Sequence, residues 1–203
     1  MSANIGILKY GVVNLSSIIR FFINLDCRVN VIEHLDNLVS KKLDFLIIPG
    51  VGSFDQGMND LELSNFKEFI IDWHSNQKKI IGICLGMQLM AETSAEGRKK
   101  GLGLIKSSVI EIEKHMENKK KINSGWSRLV PALNSDNSLY YFTHGLGFEF
   151  RELSERNFGE FLLIEKSEIV ASFKIDNILG IQFHPEKSFS QGEIFVKKHM
   201  ESW

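Results

Sequence analysis

The chain has 203 residues, a net charge of −1, 43% hydrophobic and 24% charged residues; this is the composition of an ordinary soluble globular protein with a substantial core, and it excludes any general pull towards nucleic acid or a membrane surface. Cys27 and Cys84 make neither a disulfide framework nor a metal cluster, no apolar run reaches spanning length, and Met1-Ser2-Ala3-Asn4 lacks a basic-then-apolar leader. The expectation is one cytoplasmic domain over 1–203, with no nucleic acid and no membrane among its partners.

In chain order, the first half alternates short apolar strands with helical patterns: strand 5–8, helix 15–25, strands 29–32 and 45–48, helix 66–73, strand 80–83. This rhythm predicts an α/β fold, three-layered, with a mostly parallel central sheet and helices on both faces. In the second half, apolar segments at 109–113, 139–142, 161–165, 169–173 and 178–182 are separated by short polar or Gly/Asn turns, which predicts antiparallel additions to that sheet. The charged run 114–121 reads as a solvated hairpin tip, and 193–200 as a closing helix. Ligands of such sheets bind beyond the carboxyl ends of the strands, where Pro49-Gly50-Val51-Gly52 and Cys84 both emerge.

Cys84 sits in Ile80-Ile81-Gly82-Ile83-Cys84-Leu85-Gly86-Met87-Gln88, where an apolar strand runs into a helical pattern and glycines stand two residues either side. That is the nucleophile elbow Gly-x-Nuc-x-Gly with a cysteine nucleophile. The turn strains the backbone at the nucleophile and leaves no room for side chains two residues away, while the helix start directs N–H groups at the sulfur and favours the thiolate. A lone cysteine after an apolar strand is ordinarily a small core residue; the flanking glycines argue against that here. A second strand ends in Gln182-Phe183-His184-Pro185-Glu186-Lys187-Ser188, stopped by Pro185. His184 and Glu186, two apart on extended chain, share a side. A histidine that moves protons and a carboxylate that holds its tautomer are what a cysteine nucleophile requires.

With these two segments the chain resembles the class I (triad-type) glutamine amidotransferases, and more narrowly the glutaminase subunits of imidazole glycerol phosphate synthase. The resemblance also runs through Ile5-Gly6-Ile7-Leu8-Lys9-Tyr10-Gly11-Val12-Val13-Asn14-Leu15, Pro49-Gly50-Val51-Gly52-Ser53-Phe54, Gly101-Leu102-Gly103-Leu104-Ile105, Gly125-Trp126 and Tyr141-Phe142-Thr143-His144. It implies that Cys84, His184 and Glu186 form a catalytic triad stripping ammonia from glutamine, without metal or organic cofactor. Oxyanion donors come from Leu85 and from the loop carrying Val51 and Gly52, whose flanking glycines make a partner-controlled peptide flip sterically cheap. Gly50, Gln88, Glu96 and His144 fall at substrate positions, Glu96 suited to an ammonium. On their own, Gln88 and Glu96 read as surface residues.

The resemblance further implies a (β/α)₈-barrel cyclase subunit as partner, receiving the ammonia to make imidazole glycerol phosphate in histidine biosynthesis. Asn14, Trp126, Tyr141 and Lys187 match positions facing it. Lys9, Val13, Ile122-Asn123 and Gly145-Leu146 depart from the family pattern, which usually has Asp, Gly, Pro-His and Ser/Thr-Tyr there, and these departures are expected on the partner face. They keep open a second acceptor, a surface sugar amidinated by a paralogous pair. A catalytically dead regulatory homologue is disfavoured because all three triad residues are present.

Overall fold

The computed structural model describes residues 2–11, 15–38, 42–117, 119–130 and 138–203. Its elements are β1 (Asn4–Leu8), α1 (Leu15–Asn24), β2 (Arg28–Ile32), β3 (Phe45–Ile48), α2 (Phe54–Leu63), α3 (Phe66–Ser75), β4 (Lys79–Ile83) and the single turn α4 (Leu85–Gln88). There follow β5 (Thr93–Ser94), β6 (Ser108–Glu111), β7 (Asn123–Ser127), β8 (Leu129–Val130), β9 (Tyr140–His144), β10 (Leu146–Phe148), α5 (Phe150–Arg156), β11 (Glu160–Ile164), β12 (Val170–Ile175), β13 (Ile178–Ile181) and α6 (Phe189–Glu201).

An eight-stranded sheet in the order β2-β1-β3-β4-β13-β12-β11-β8 organises the fold. From β2 to β13 every neighbouring pair is parallel, and from β13 to β8 every pair is antiparallel. Alternate strand side chains serve opposite faces. Phe45 and Ile47 of β3 join the core beneath α1 and α6 with Ile18, Phe21, Phe22, Phe195 and Val196. Leu46 and Ile48 join the other core, beneath α2 and α3, with Met58, Leu61, Phe66, Ile70 and Trp73. The buried positions 18, 21 and 22 of α1 and 66, 70 and 73 of α3 are the helical spacing that lays one stripe on the sheet. The α/β class and both helix layers are as the sequence predicts.

The second half needs three corrections. Strand 178–182, expected as an antiparallel addition, pairs antiparallel with β12 but parallel with β4. As the returning arm of a tight hairpin it runs in the direction of the parallel strands and closes the gap between the two halves. Segments 109–113 and 139–142 do not join the central sheet at all. Residues 108–111 pair with β5 and β10, and β9 pairs with β7. The charged run is no free hairpin tip either: Met116 is buried and bridges Ser167, and the His115 carbonyl accepts the Glu168 N–H, so its first half is docked on the β11–β12 turn. Among the described residues no helix is long and apolar enough to cross a membrane.

Candidate active site

The parallel β4–β13 register sets Ile83 beside Ile181, and the Cys84 N–H continues the ladder to the Ile181 carbonyl at 2.7 Å. Cys84 therefore faces Gln182 across the strand ends, with His184 two residues further on. The elbow is tight: Cys84 adopts φ +53°, ψ −112°, a conformation few side-chain-bearing residues tolerate. The flanking glycines are required by close approach. A Cβ on Gly86 would lie 1.8 Å from the Ile48 carbonyl oxygen of β3, and one on Gly82 would lie 2.9 Å from the Gly86 carbonyl oxygen. The helix that follows is a single turn, so the Leu85 N–H, without an acceptor among the described residues, offers local donation rather than a long macrodipole.

His184 and Glu186 bracket the buried Pro185, which opens a short 3₁₀ turn. The His184 Nδ1 and Glu186 Oε1 are 2.9 Å apart, with side chains only 4% and 6% exposed. Burial alone would lower the imidazole pKa, but the Cys84 sulfur and the Glu186 carboxylate outweigh it and hold it at about 10. His184 is thus an imidazolium at neutral pH. Among the described residues its Nε2 makes no well-aligned hydrogen bond, although the thiol is close enough to perturb its titration. The turn is clasped from behind. Ser188 Oγ donates to the His184 carbonyl at 2.7 Å and accepts the Tyr141 N–H at 3.0 Å, and the His184 N–H reaches the Tyr141 carbonyl at 2.8 Å.

These groups open on a cleft of about 440 Å³ lined by Val51, Gly52, Cys84, Leu85, Gln88, Glu96, Ile122, Thr143, His144, Gly145, Leu146 and His184. The sequence-predicted triad cysteine and histidine, the oxyanion candidates Val51, Gly52 and Leu85, and the substrate candidates Gln88, Glu96 and His144 thus share one cavity. Gly50 stands just behind it, where a Cβ would meet the Gly86 N and Leu85 Cβ at 2.9 Å. Two hydrogen bonds pin the ends of this loop. The buried Tyr10 hydroxyl donates to the Pro49 carbonyl at 2.5 Å, and the Phe54 N–H donates to Glu96 Oε2 at 2.7 Å. Burial holds the Tyr10 phenol well above its usual range, so it remains a donor. Neither pin is visible in the sequence, and Glu96, which lines the cleft, here also caps α2 with Oε2.

Gln88 is buried rather than on the surface. Its Nε2 donates to the Leu146 carbonyl at 2.9 Å and to Gln182 Oε1 at 3.0 Å, which leaves only its oxygen for a ligand. The Leu146 carbonyl also lies 2.8 Å from His144 Nδ1 and can only accept, so that nitrogen carries the proton. Desolvation lowers the His144 pKa to about 4, with the Leu146 bond opposing and the His184 charge assisting. His144 is therefore neutral, and its bare Nε2 faces the Asn123 amide nitrogen at 3.4 Å.

The predicted partner residues gather beside the cleft. Trp126 stands edge-on to Tyr141 at 5.6 Å, and Lys187 Nζ lies 5.3 Å over the Tyr141 ring. Phe189, which the sequence did not single out, stacks on Trp126 at 5.7 Å while remaining 75% exposed at φ +50°. Asn14 and Val13 lie outside the described residues. The family departures are not confined to a partner face, as was expected. Ile122, Gly145 and Leu146 line the cleft with Cys84, and Asn123 contacts His144. Lys9 does lie outside it, in an exposed ion pair with Glu33 at 2.8 Å.

Solved structures share this fold. A crystal structure titled glutamine amidotransferase superposes with TM-score 0.72 at 16% identity, covering 98% of this chain and 99% of that one. PurLQS from Thermotoga maritima gives 0.67 at 16% identity over the full length of both. The family model described as "Glutamine amidotransferase class-I" matches residues 7–200, and the chain belongs to that family. Among curated relatives, "Imidazole glycerol phosphate synthase subunit hisH" of Cyanidium caldarium is 34% identical over 98% of this chain and 99% of its own length. The HisH subunit of Prochlorococcus marinus (strain MIT 9211) is 34% identical over 100% and 94%, and HisH 1 of Legionella pneumophila (strain Lens) 34% over 98% and 99%.

Proposed function

We propose that this glutamine amidotransferase is the glutaminase subunit of an imidazole glycerol phosphate synthase, and that Cys84, His184 and Glu186 are its catalytic triad. The observation that carries the reading is the buried 2.9 Å His184–Glu186 pair, whose histidine opens on the same cleft as a cysteine held at φ +53°. The names of the full-length relatives support the synthase.

Cys84 as thiolate attacks the side-chain carboxamide carbon of glutamine, and the carbonyl electron pair moves onto oxygen. The Leu85 N–H and a peptide of the Val51-Gly52 loop receive that oxyanion. As the C–N bond breaks, the His184 imidazolium supplies the proton that lets nitrogen leave as ammonia. Water then attacks the thioester, His184 takes its proton, and glutamate departs as sulfur recovers its electron pair. Glu186 fixes the ring and offsets its charge. The free oxygen atoms of Gln88 and Glu96 suit the substrate ammonium, and neutral His144 and Gly50 complete the walls. The chemistry requires no metal or cofactor.

The ammonia passes to a (β/α)₈-barrel cyclase subunit, docked on Trp126, Tyr141 and Lys187; Asn14, outside the described residues, joins them by the resemblance alone. Tyr10 and Glu96 pin both ends of the oxyanion loop and leave the Val51 peptide between them to turn when that subunit docks. Purified with its cyclase, the protein should convert glutamine and form imidazole glycerol phosphate. Cys84→Ala should stop both with glutamine yet leave synthesis from added ammonium salt intact. Glutamine turnover by Cys84→Ala would reject the nucleophile. An active glutaminase that makes no imidazole glycerol phosphate would redirect the ammonia to the second acceptor, a surface sugar.

A further inference from the structure

Gln182 is fully buried one residue beyond β13, with its Nε2 3.8 Å from Cys84 Sγ and its Oε1 3.0 Å from Gln88 Nε2. A carboxamide can be turned end for end, so its orientation has to come from its partners, and here they fix it. The Leu146 carbonyl only accepts, so the Gln88 atom 2.9 Å from it is the NH₂. The second hydrogen of that NH₂ goes to Gln182, so the Gln182 atom it meets is the oxygen. The Gln182 NH₂ is therefore left facing the sulfur.

We infer that Gln182 is a second hydrogen-bond donor to the nucleophile, oriented by a relay that starts at the Leu146 carbonyl and passes through Gln88. The inference deepens the glutaminase reading and rests on Cys84 being the nucleophile. A donor aimed at sulfur favours the thiolate over the thiol, because hydrogen bonds to an ionised partner are the stronger ones. His184 stabilises the thiolate too, but it gives up its proton when ammonia leaves. Gln182 has no proton to lose, so it still faces the sulfur when the thioester C–S bond breaks and the electron pair returns. Gln88 then acts twice, presenting its oxygen to the cleft and holding Gln182 in the productive orientation.

The test compares iodoacetamide alkylation of Cys84 in the wild type and in Gln182→Met, similar in volume but without a donor. Cys27 does not confuse the reading, since burial and then Asp26 push its thiol up to about 11. At neutral pH the variant should alkylate on the order of tenfold more slowly, and the deficit should close at alkaline pH, where the thiol ionises without help. In the complex with the cyclase, the loss should fall on kcat with KM within about twofold. A purely structural role would not produce that pH dependence.

Equal alkylation rates at neutral pH overturn the inference. If Gln182→Met does not fold, the wild type decides: the Gln182 side-chain amide resonances should shift when Cys84 is alkylated, and an unmoved pair overturns it. Glutaminase activity surviving in Cys84→Ala would remove the nucleophile reading instead, a separate result.

Discussion

The buried end of the cleft and the exposed surface around it are built on opposite terms. On the strand-end wall, Cys84, Gln88, Gln182 and His184 are nearly or wholly buried, and each is held by a backbone ladder bond or a side-chain bond of fixed polarity. On the rim, Ile122, Trp126 and Phe189 are 61%, 45% and 75% exposed, and Trp126 and Phe189 are held mainly by ring contacts. The buried wall cannot relax around a change, so a substitution there leaves an unpaired group or a misaimed one. The rim keeps apolar surface in water, which a folded chain retains at little cost when a partner covers it. On the proposed function, chemistry belongs to the buried wall and association to the rim, and substitutions should divide the same way.

The largest effect should come from the two cysteines. Cys84→Ala should lower glutamine hydrolysis by about 10⁴-fold or more, whereas Cys27→Ala should leave it unchanged, since Cys27 is partly buried against the core beneath α1 and α6 and does not line the cleft. Steady-state glutamate release in the cyclase complex measures both. Glu186→Gln comes next, with a loss of about 10²–10⁴-fold in kcat, because the amide offers His184 no compensating charge. A smaller loss would mean that the buried carboxylate is not what orients the ring.

The two buried histidines should leave opposite marks on stability. His144 has a folded pKa of about 4 against 6.5 unfolded. Above 6.5 both states are neutral, and as pH falls to about 4 only the unfolded chain gains the proton, so roughly 3 kcal/mol is lost over that window. His184 is raised to about 10. Its contribution is complete below 6.5 and is lost as pH rises through 10. Urea unfolding across this range should therefore peak near neutrality. His144→Asn should flatten the acid limb, and Glu186→Gln the alkaline one. An acid limb unchanged in His144→Asn would show that His144 is not held neutral by its burial.

How far the sequence carried this is itself a matter of distance along the chain. The elbow and the His-Pro-Glu turn are legible because strand, breaker and nucleophile are contiguous, and the parallel half because each βα unit repeats a local pattern. Gln182 reads as one more strand residue; its meaning comes from Cys84, 98 positions away. The Tyr10–Pro49 and Glu96–Phe54 pins likewise join residues 39 and 42 positions apart. α2 is hard to read because the side-chain-less Gly57 and a run of polar residues leave only Phe54, Met58 and Leu61 to mark its buried stripe. β7 reads as a polar loop because its exposed residues Ser124 and Trp126 alternate with Gly125 and no apolar face marks it. The departures read as a partner face because sequence shows which residues differ but not that 122 and 145–146 fold onto the same cleft as 84.

The smallest predicted effect is also the one that isolates the rim. Trp126→Ala removes a ring stacked on Phe189 at 5.7 Å and edge-on to Tyr141. The isolated chain loses these two partly exposed ring contacts, a change of about 1 kcal/mol in urea unfolding. In the complex the same ring would be desolvated against the cyclase, where truncating an aromatic anchor typically costs about 2 kcal/mol or more of binding. Titration calorimetry with the cyclase should thus register a larger loss than unfolding does, and Phe189→Ala should follow it because the two rings support each other. Glutaminase activity at saturating cyclase should hardly move, since neither ring lines the cleft that holds Cys84. A Trp126→Ala protein that binds the cyclase normally would place the partner on another face and leave the stacked pair without a role in assembly.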